Sequence, residues 1–252
     1  MKLTFLGTGT SMGVPVAGGF GSEMMEGDPR NERYRCSAWV KTKKSSLIID
    51  TSPEFRLQTI RTGIKHIDLV LITHEHMDHI AGLDDLRAYN YAQKESIPLF
   101  TSRRTASSIK QRFDYMFGEN KYPGSTSIEL NIIDKPFTFQ DLHITPLSVN
   151  HGPIDILGFR INDLVYMTDT KEVPEQTKDL VKGARLMVLS GLRWGPKHPT
   201  HLTIPEAIEV ADELEIPQTY LIHMNAYVNH KTSNRKLPDH VKLAYDQLTV
   251  EV

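Results

Sequence analysis

The residues best suited to chemistry are concentrated in one short segment, residues 74–79, with the sequence HEHMDH. Each imidazole or carboxylate needs a polar partner when it is buried, so five such groups within six residues do not serve packing. Imidazole nitrogen and carboxylate oxygen are the ligands that borderline divalent metals prefer. The segment therefore predicts a metal site, with an exposed polar turn as the structural alternative.

The spacing inside this segment divides its ligands between two directions. His74 and His76 are two residues apart, so an extended backbone leaving a strand points both side chains to one side. Asp78 and His79 fall at the start of the next predicted helix and turn away from that pair. The second pair could therefore hold a second ion.

Three more candidate ligands follow other predicted strands. His151 comes after Ile144–Val149, Asp169 after Leu164–Met167 and His223 after Tyr220–Ile222. Each of these residues alone fits an ordinary turn. Together with the first segment they give five histidines and two aspartates, all at strand ends, where a sheet presents them at one edge. This set predicts two metal sites with a bridging carboxylate.

The elements that must position these side chains are short apolar strands with interspersed helices. Helices are predicted at Ile80–Tyr91 and Ile204–Leu214, and Thr203, Pro205 and Glu206 supply start signals for the second of them. Strands outnumber helices, which favours two sheets with helices packed outside. The predicted strands are Lys2–Leu6, Ala38–Val40, Ser46–Asp50, Ile67–Thr73, Phe137–Phe139, Leu142–Pro146, Gly158–Ile161, Leu164–Met167, Leu186–Leu189 and Tyr220–Ile222, with a strand, turn and strand within Val241–Val252.

Composition and length exclude several classes of protein. The chain has 252 residues, 39% hydrophobic and 24% charged, with no linker long enough to separate domains, so residues 1–252 are expected to form one domain. No segment reaches the roughly 20 apolar residues of a spanning helix. A net charge of -2 argues against non-specific binding of nucleic acid. The start of the sequence lacks a secretory apolar region and Cys36 has no partner for a disulfide, so a cytoplasmic location is expected.

The order of these motifs resembles the metallo-β-lactamase superfamily. The pattern HxHxDH is followed by a later His, an Asp in a TDT at a strand end, and a final His. The segments 5–15 (FLGTGTSMGVP), 82–87 (GLDDLR), 122–124 (YPG) and 198–202 (HPTHL) are similar to the PhnP-like branch, phosphodiesterases named for a cyclic phosphodiesterase of phosphonate breakdown. The resemblance covers essentially the whole chain and implies a four-layer αββα sandwich with a two-metal site between the sheet edges.

The resemblance also assigns the ligands. It implies that Asp169 bridges two divalent ions, Zn²⁺ or Mn²⁺, and so takes part in catalysis together with Asp78. The remaining ligands divide between the two ions: His74, His76 and His151 for one, and Asp78, His79 and His223 for the other.

Further positions near the site follow from the same resemblance. Asp50 matches an aspartate that orients the metal ligands. His201 matches an extra catalytic histidine near the substrate, and an ordinary pKa near 6.5 would suit it to donate a proton to the leaving oxygen. Ser190 stands where relatives often have an aspartate and Asn225 where a serine is frequent, which leaves the exact substrate open.

One departure from the branch is the loss of a whole site. Many relatives bind a structural zinc with three cysteines and a histidine, and these positions align with Gly19, Gly21, Met24 and Ala226, none of which can bind a metal. The loop Gly18–Arg33 must then be held by packing or be mobile.

Two weaker patterns remain. Arg103, Arg104, Lys110 and Arg112 are interpreted as a solvated helix face, with a phosphate-attracting rim as the alternative. The aromatic stretch 113–122 is interpreted as packing, in the core or in a homodimer, with a substrate lid as the alternative.

The function predicted from all of this is a dinuclear metal-dependent hydrolase of small or cyclic phosphodiesters. A hydroxide shared by the two ions would attack phosphorus. Ribonuclease Z-like RNA processing is an alternative, although no RNA-gripping arm or strongly basic surface is evident. A glyoxalase-type thioesterase or lactonase is another, because the ligand set does not fix the bond cleaved. The alternative outside enzymes is a metal-binding module without turnover, against which the intact ligand set argues.

Overall fold

Two seven-stranded β-sheets pack against each other in the computed structural model, which describes residues 1–25, 27–118 and 121–252, apart from the side chain of Met24. In the first sheet, in the order β14-β1-β2-β3-β4-β5-β6, the strands from β3 to β6 run parallel and the other neighbours antiparallel. Its strands are β1 (Lys2–Gly7), β2 (Ser37–Lys41), β3 (Ser46–Ile49), β4 (Leu69–Leu71), β5 (Ile97–Thr101), β6 (Ile128–Ile132) and β14 (Thr249–Glu251).

The second sheet has the order β13-β12-β11-β10-β9-β8-β7. Here the strands from β10 to β13 run parallel, and β7 to β10 form an antiparallel meander. Its strands are β7 (Phe137–Phe139), β8 (Leu142–His151), β9 (Ile154–Ile161), β10 (Leu164–Met167), β11 (Leu186–Ser190), β12 (Gln218–Ile222) and β13 (Val241–Leu243). The two strands expected within Val241–Val252 therefore belong to different sheets.

Helices cover the outer face of each sheet. The first sheet shares a buried cluster with α1 to α4, and the second sheet shares another with α5 and α6. A third cluster lies between the sheets. The helices are α1 (Phe55–Thr62), α2 (Met77–Ile80), α3 (Arg87–Gln93), α4 (Arg103–Arg112), α5 (Glu175–Val181), α6 (Ile204–Glu213) and α7 (His230–Asn234).

This layering follows from the sequence of the central strands. In β3, Leu47 and Ile49 face the cluster between the sheets, whereas Ile48 faces the helices. Alternation with period two buries both faces, so such a strand reads as a continuous apolar run. The αββα architecture expected from the resemblance is confirmed.

The predicted helix Ile80–Tyr91 is wrong in its limits and in its type. Helix α2 begins at Met77, a 3₁₀ segment spans Ala81–Leu86, and α3 follows. The backbone is diverted at Gly82, whose N–H donates to the carbonyl of Thr51, and a Cβ there would lie 2.3 Å from the carbonyl oxygen of Ser52. A regular helix would lose this close contact with the loop that precedes α1.

Helix α6 begins as predicted. Thr203 caps it through a capping box: the Thr203 hydroxyl accepts from the N–H of Glu206, and the Glu206 carboxylate accepts from the N–H of Thr203. Within the described ranges, no helix has the length and apolar character needed to cross a membrane.

Candidate metal centre

The candidate ligands meet where strands of both sheets end. Asp50 follows β3 directly, and His74 lies three residues beyond β4. From the second sheet, His151 ends β8, Asp169 comes two residues after β10, and His223 follows β12 directly. The expectation that strand ends gather these side chains at one edge is met by residues from both sheets.

Three of these residues have left-handed backbone conformations. The φ angles of Asp50, Asp169 and His223 are 59°, 52° and 61°. Such conformations are uncommon outside glycine and cost of order 1–3 kcal/mol each. They turn the chain sharply at the strand ends, and the surrounding hydrogen bonds and packing must offset their cost.

One group of potential ligands consists of His74, His76, His151 and Asp169. One ligand atom from each lies within 4.8 Å of all the others. Nε2 of His74 is 2.9 Å from Nδ1 of His76, so the two side chains do point to one side. Oδ2 of Asp169 lies 3.9 Å from Nε2 of His151.

The second group consists of Asp78, His79, Asp169 and His223, with the same 4.8 Å limit. Nε2 of His79 lies 3.2 Å from Oδ2 of Asp78 and 3.4 Å from Oδ1 of Asp169. Nε2 of His223 lies 3.3 Å from that same Oδ1. Asp169 thus turns one oxygen to each group.

Unpartnered buried nitrogens show that this donor set fits a divalent cation. Nε2 of His79 and Nε2 of His223 are buried and have no hydrogen-bond partner, although both face carboxylates. Leaving such atoms unpaired is costly in a protein interior. Nitrogen and carboxylate donors converging on one point are what a borderline metal requires, so the cluster can bind divalent metal.

Charged groups in the cluster shift one another's pKa values strongly. Burial raises the pKa of Asp169, but His223 and His79 outweigh burial and hold that pKa well below its ordinary value. Burial likewise lowers the pKa of His79, but the carboxylates of Asp78 and Asp169 raise it well above the ordinary range. Burial and the nearby His79 lower the pKa of His74. The carboxylates therefore stay ionised at neutral pH, as metal ligands must be.

A buried network behind the ligands fixes their orientation. Oδ2 of Asp50 is 2.7 Å from Nδ1 of His79, and Asp50 also accepts hydrogen bonds from the backbone N–H and hydroxyl of Thr73. The Thr73 hydroxyl is in turn 3.0 Å from Nδ1 of His74. Burial raises the pKa of Asp50, an effect partly offset by His79. Asp50 therefore lies directly behind His79, and Thr73, which sequence reasoning missed, links it to His74.

Other supporting groups were also not evident from the sequence. The carbonyl of Thr200 lies 2.8 Å from Nδ1 of His151, and the Thr168 hydroxyl donates to Oδ1 of Asp169 at 2.7 Å. Ser190 accepts a hydrogen bond from the N–H of Thr170 and so stabilises the turn after Asp169. Hydroxyl residues beside a ligand at a strand end are the signal that could have indicated Thr73 and Thr168.

His201 lies beside the two groups without being a member of either. Its ring centroid is 4.6 Å from that of His223 and 4.8 Å from that of His151. Burial, with a contribution from His223, lowers the pKa of His201 to about 3. This pKa is well below the ordinary value of about 6.5 that was expected of a proton donor. The ring is therefore neutral at pH 7.

Two of the aligned positions of the lost zinc site, Gly21 and Ala226, lie close together in space. A Cβ on Gly21 would lie 2.5 Å from the Cβ of Ala226, and the side chain of Met24 falls outside the described residues. Hydrogen bonds hold the end of this loop, where Asn31 accepts from the N–H of His230 and the buried Arg33 donates to the carbonyl of Ala244. No grouping of metal-ligand residues is found there among the described residues.

The aromatic stretch 113–122 mainly packs. Phe113 and Met116 are buried in the cluster under the first sheet, and Tyr115 stacks on the half-exposed Tyr122. Residues 119 and 120 of this stretch lie outside the described residues.

The cluster opens into a cleft of about 340 Å³. It is lined by Ser11, His76, Asp78, Arg104, His151, Pro153, Ile154, Asp169, Thr200 and His201.

Comparison with known proteins finds a family model and solved structures that match this chain. A model of the beta-lactamase superfamily domain matches residues 46–224. The crystal structure of a diphosphatase from the PhnP family superposes with a TM-score of 0.90 at 33% identity, over 100% of this chain and 97% of that one. Zn²⁺-bound PqqB from Methylobacterium extorquens superposes with a TM-score of 0.80 at 21% identity, over 100% of both chains, which shows a shared fold.

A curated relative, an octanoyltransferase of Porphyromonas gingivalis, is 35% identical over 252 aligned residues, or 98% of this chain. The chain spans 51% of the length of that relative. The name therefore belongs to a protein about twice as long.

The two sheets, the paired groups of candidate ligands and these matches define a protein of the αββα class with a cluster that can bind metal where strands of both sheets end. Both the family model and the full-length PhnP-family match point to one assignment. The chain belongs to the metallo-β-lactamase superfamily, in its PhnP-like branch. The family expected from the sequence is confirmed.

Proposed function

We propose that this chain is a dinuclear metal-dependent phosphodiesterase acting on small or cyclic phosphodiesters. The observation that carries the proposal is the position of Asp169, which contributes one oxygen to each of two ligand groups. A shared carboxylate holds two cations close together, which suits in-line displacement at phosphorus.

The candidate ligands would divide between two ions. One ion, Zn²⁺ or Mn²⁺, would be held by His74, His76 and His151, and the other by Asp78, His79 and His223, with Asp169 between them. Ions bound in this way lower the pKa of a water molecule and neutralise charge that develops on the phosphoryl oxygens. Asp50 holds Nδ1 of His79, which directs Nε2 toward Asp78 and Asp169, where it would lose its proton on binding an ion.

Two observations favour phosphorus as the reacting centre: the activity of the PhnP-family relative and the hydrogen-bond donors that line the cleft. The PhnP-family relative, 33% identical over almost its whole length, is a diphosphatase. That observation also supports a second candidate, hydrolysis of a diphosphate bond, since both reactions attack a phosphorus that carries negatively charged oxygens. The cleft offers Arg104 and the neutral ring of His201 as donors to such oxygens.

A substrate screen of the metal-loaded protein tests this proposal. Cyclic phosphates, linear diesters, diphosphates, thioesters and lactones would be compared by kcat/KM. We expect the highest value for a phosphodiester, with measurable hydrolysis of diphosphates. A preference for thioesters or lactones, selective cleavage of an RNA precursor, or no turnover of any substrate by protein with bound metal would contradict it.

His201→Ala should separate hydrogen bonding from proton donation. Because its ring is neutral and lies outside both ligand groups, we expect both ions to be retained and kcat to fall roughly 10²-fold, the effect of losing one donor to a developing oxyanion. The fall should be similar for a nitrophenyl diester and an alkyl diester.

The control is His198→Ala, since His198 is 5.1 Å from His201 between ring centroids and does not line the cleft. A much larger loss on the alkyl diester, which needs a proton on its leaving group, would restore the acid role predicted from the sequence. Loss of an ion would make His201 a ligand.

A further inference from the structure

A second cavity, of about 480 Å³, adjoins the cleft beside the loop that follows β1. Ser11 lines the cleft, while its neighbours Thr10 and Met12 line this side cavity. Consecutive Cα atoms are about 3.8 Å apart, so one substrate molecule can reach both spaces. Resting on the proposed function, we propose that the side cavity is a subsite that binds a nucleobase of the substrate. The preferred substrates would then be nucleoside phosphodiesters.

Two aromatic side chains line the side cavity with their rings exposed. Phe20 is 72% exposed and Tyr227 is 77% exposed, and Met12 beside them is 56% exposed. A single exposed apolar side chain is ordinary, but several around one cavity mark a binding surface. Every nucleobase has a π-face on which an aromatic side chain can stack. These rings therefore favour a flat ring as the occupant.

A tight turn fixes the position of Phe20 at the side cavity. Val16 and Phe20 form an antiparallel bridge, in which the N–H of Val16 donates to the carbonyl of Phe20 at 2.8 Å. Between them, Gly18 and Gly19 have φ angles of 87° and 82°, which glycine adopts without strain. A Cβ on Gly18 would lie 2.9 Å from Cε2 of Phe20. The ring of Phe20 thus packs against the turn in the space that Gly18 leaves.

The polar side chains of the side cavity match the edge of a neutral base. Oδ1 of Asn225 accepts from the N–H of Tyr227 at 3.1 Å, so Nδ2 of Asn225, which has no hydrogen-bond partner among the described residues, can donate to a ring carbonyl. The carboxylate of Glu23 also lines the cavity and can accept from a ring N–H. Among the described residues, no lysine or arginine lines the cavity. Glu23 would repel an anion there, so an uncharged ring is the better occupant than a further phosphate.

The backbone connects the side cavity directly to the metal cluster. Asn225 comes two residues after His223, and Met224 lies between them. The N–H of Met224 donates to the carbonyl of Thr8 at 3.1 Å, and the carbonyl of Met224 accepts from the N–H of Thr10 at 3.0 Å. The wall of the side cavity is therefore fixed relative to a ligand residue. A phosphodiester held at the cluster can direct one of its two ester groups into this cavity.

Three nitrophenyl diesters that differ only in the second ester group test the subsite. Thymidine 5′-(4-nitrophenyl phosphate), its analogue without the base, and hexyl 4-nitrophenyl phosphate would be compared by kcat/KM with Mn²⁺-loaded protein. We expect wild type to prefer the thymidine ester over each of the other two roughly tenfold, within the usual effect of stacking one base. A hexyl ester that reacts as well as the thymidine ester would show a subsite for an apolar chain and overturn the proposal.

Removing either ring should lower the preference for the base. In Phe20→Ala and in Tyr227→Ala we expect the thymidine ester to exceed the ester without the base by less than about threefold. Both side chains are mostly exposed, so bound metal and the circular dichroism spectrum should not change. Tyr227→Phe keeps the ring and should keep the preference. The matched control is Tyr91→Ala, because Tyr91 is 88% exposed on α3 and lines neither space. An equal preference in all of these proteins would overturn the subsite.

Calorimetric titration with thymidine 5′-phosphate and deoxyribose 5-phosphate keeps this test apart from the proposed function. If wild type hydrolyses none of the esters but binds thymidine 5′-phosphate more tightly, and Phe20→Ala loses this preference, the proposed function fails and the subsite stands. If wild type hydrolyses all three esters equally well and binds both phosphates equally, the subsite fails and the proposed function stands. Absence of both hydrolysis and preference would reject both.

Discussion

Asp169→Ala should remove at least one metal ion per chain and lower kcat/KM for a phosphodiester roughly 10³-fold or more. Asp169 contributes an oxygen to each ligand group. It is only 2% exposed, so no carboxylate on the protein surface can take its position between the groups. Stabilisation by the ions amounts to several kcal/mol, and each 1.36 kcal/mol is a factor of ten in rate. Metal content by elemental analysis and initial rates on a nitrophenyl diester measure the two effects.

The matched control is Asp163→Ala. Asp163 is exposed and directly precedes β10, at the end of the strand opposite to Asp169. Its substitution removes the same chemical group at a position away from the cleft. We expect it to retain metal and activity, and Asp169→Ala to remain folded by circular dichroism, because the clusters that hold the sheets do not include Asp169. An Asp169→Ala protein with two ions and most of its activity would exclude the bridging role.

Asp50→Asn should have the second largest effect, a loss of roughly 10–100-fold in metal affinity with a matching loss of activity at limiting metal. Asp50 is fully buried and accepts from Thr73 while it holds Nδ1 of His79. An amide keeps the shape but removes the charge that makes His79 a stronger ligand. Competition with a chromophoric chelator measures the affinity.

Asp68→Asn offers a control of the same chemistry far from the site. Asp68 precedes β4 at its other end, lies 2.9 Å from Nε2 of His66 and accepts from the N–H of Ser46. It repeats the pairing of a carboxylate with an imidazole, so we expect a change in stability without a change in metal affinity. Equal losses of affinity in both variants would show that Asp50 acts through general stability.

The candidate ligands could be named from the sequence because their chemistry is local. Residues such as His74 and His223 are polar, come at or soon after the ends of apolar strands, and have no role in packing, so residue type and position sufficed to name them as candidates. Most strands followed from short apolar runs, as in β3, but β5 and β6 were not predicted. How the ligands divide between two groups depended on a resemblance, because spacing along the chain does not fix which strand ends meet.

What the sequence did not show depends on long-range contacts. The carbonyl that orients His151 belongs to Thr200, which is 49 residues away, and every residue has such a carbonyl. Glu75 was noticed only as part of a motif, since its partner Arg104 lies on a helix 29 residues later. The helix expected at Ile80–Tyr91 failed because the contact of Gly82 with the loop before α1 overrides local periodicity.

The most direct test of a dinuclear phosphodiesterase is a titration of the metal-stripped protein with Mn²⁺ or Zn²⁺ while hydrolysis of bis(p-nitrophenyl) phosphate is followed. Two ligand groups and no grouping among the described residues of the loop Gly18–Arg33 predict that bound metal saturates at two ions per chain. The rate should rise to its maximum at the same point. Saturation at one ion or at three, or a fully loaded protein that does not hydrolyse the diester, would contradict it.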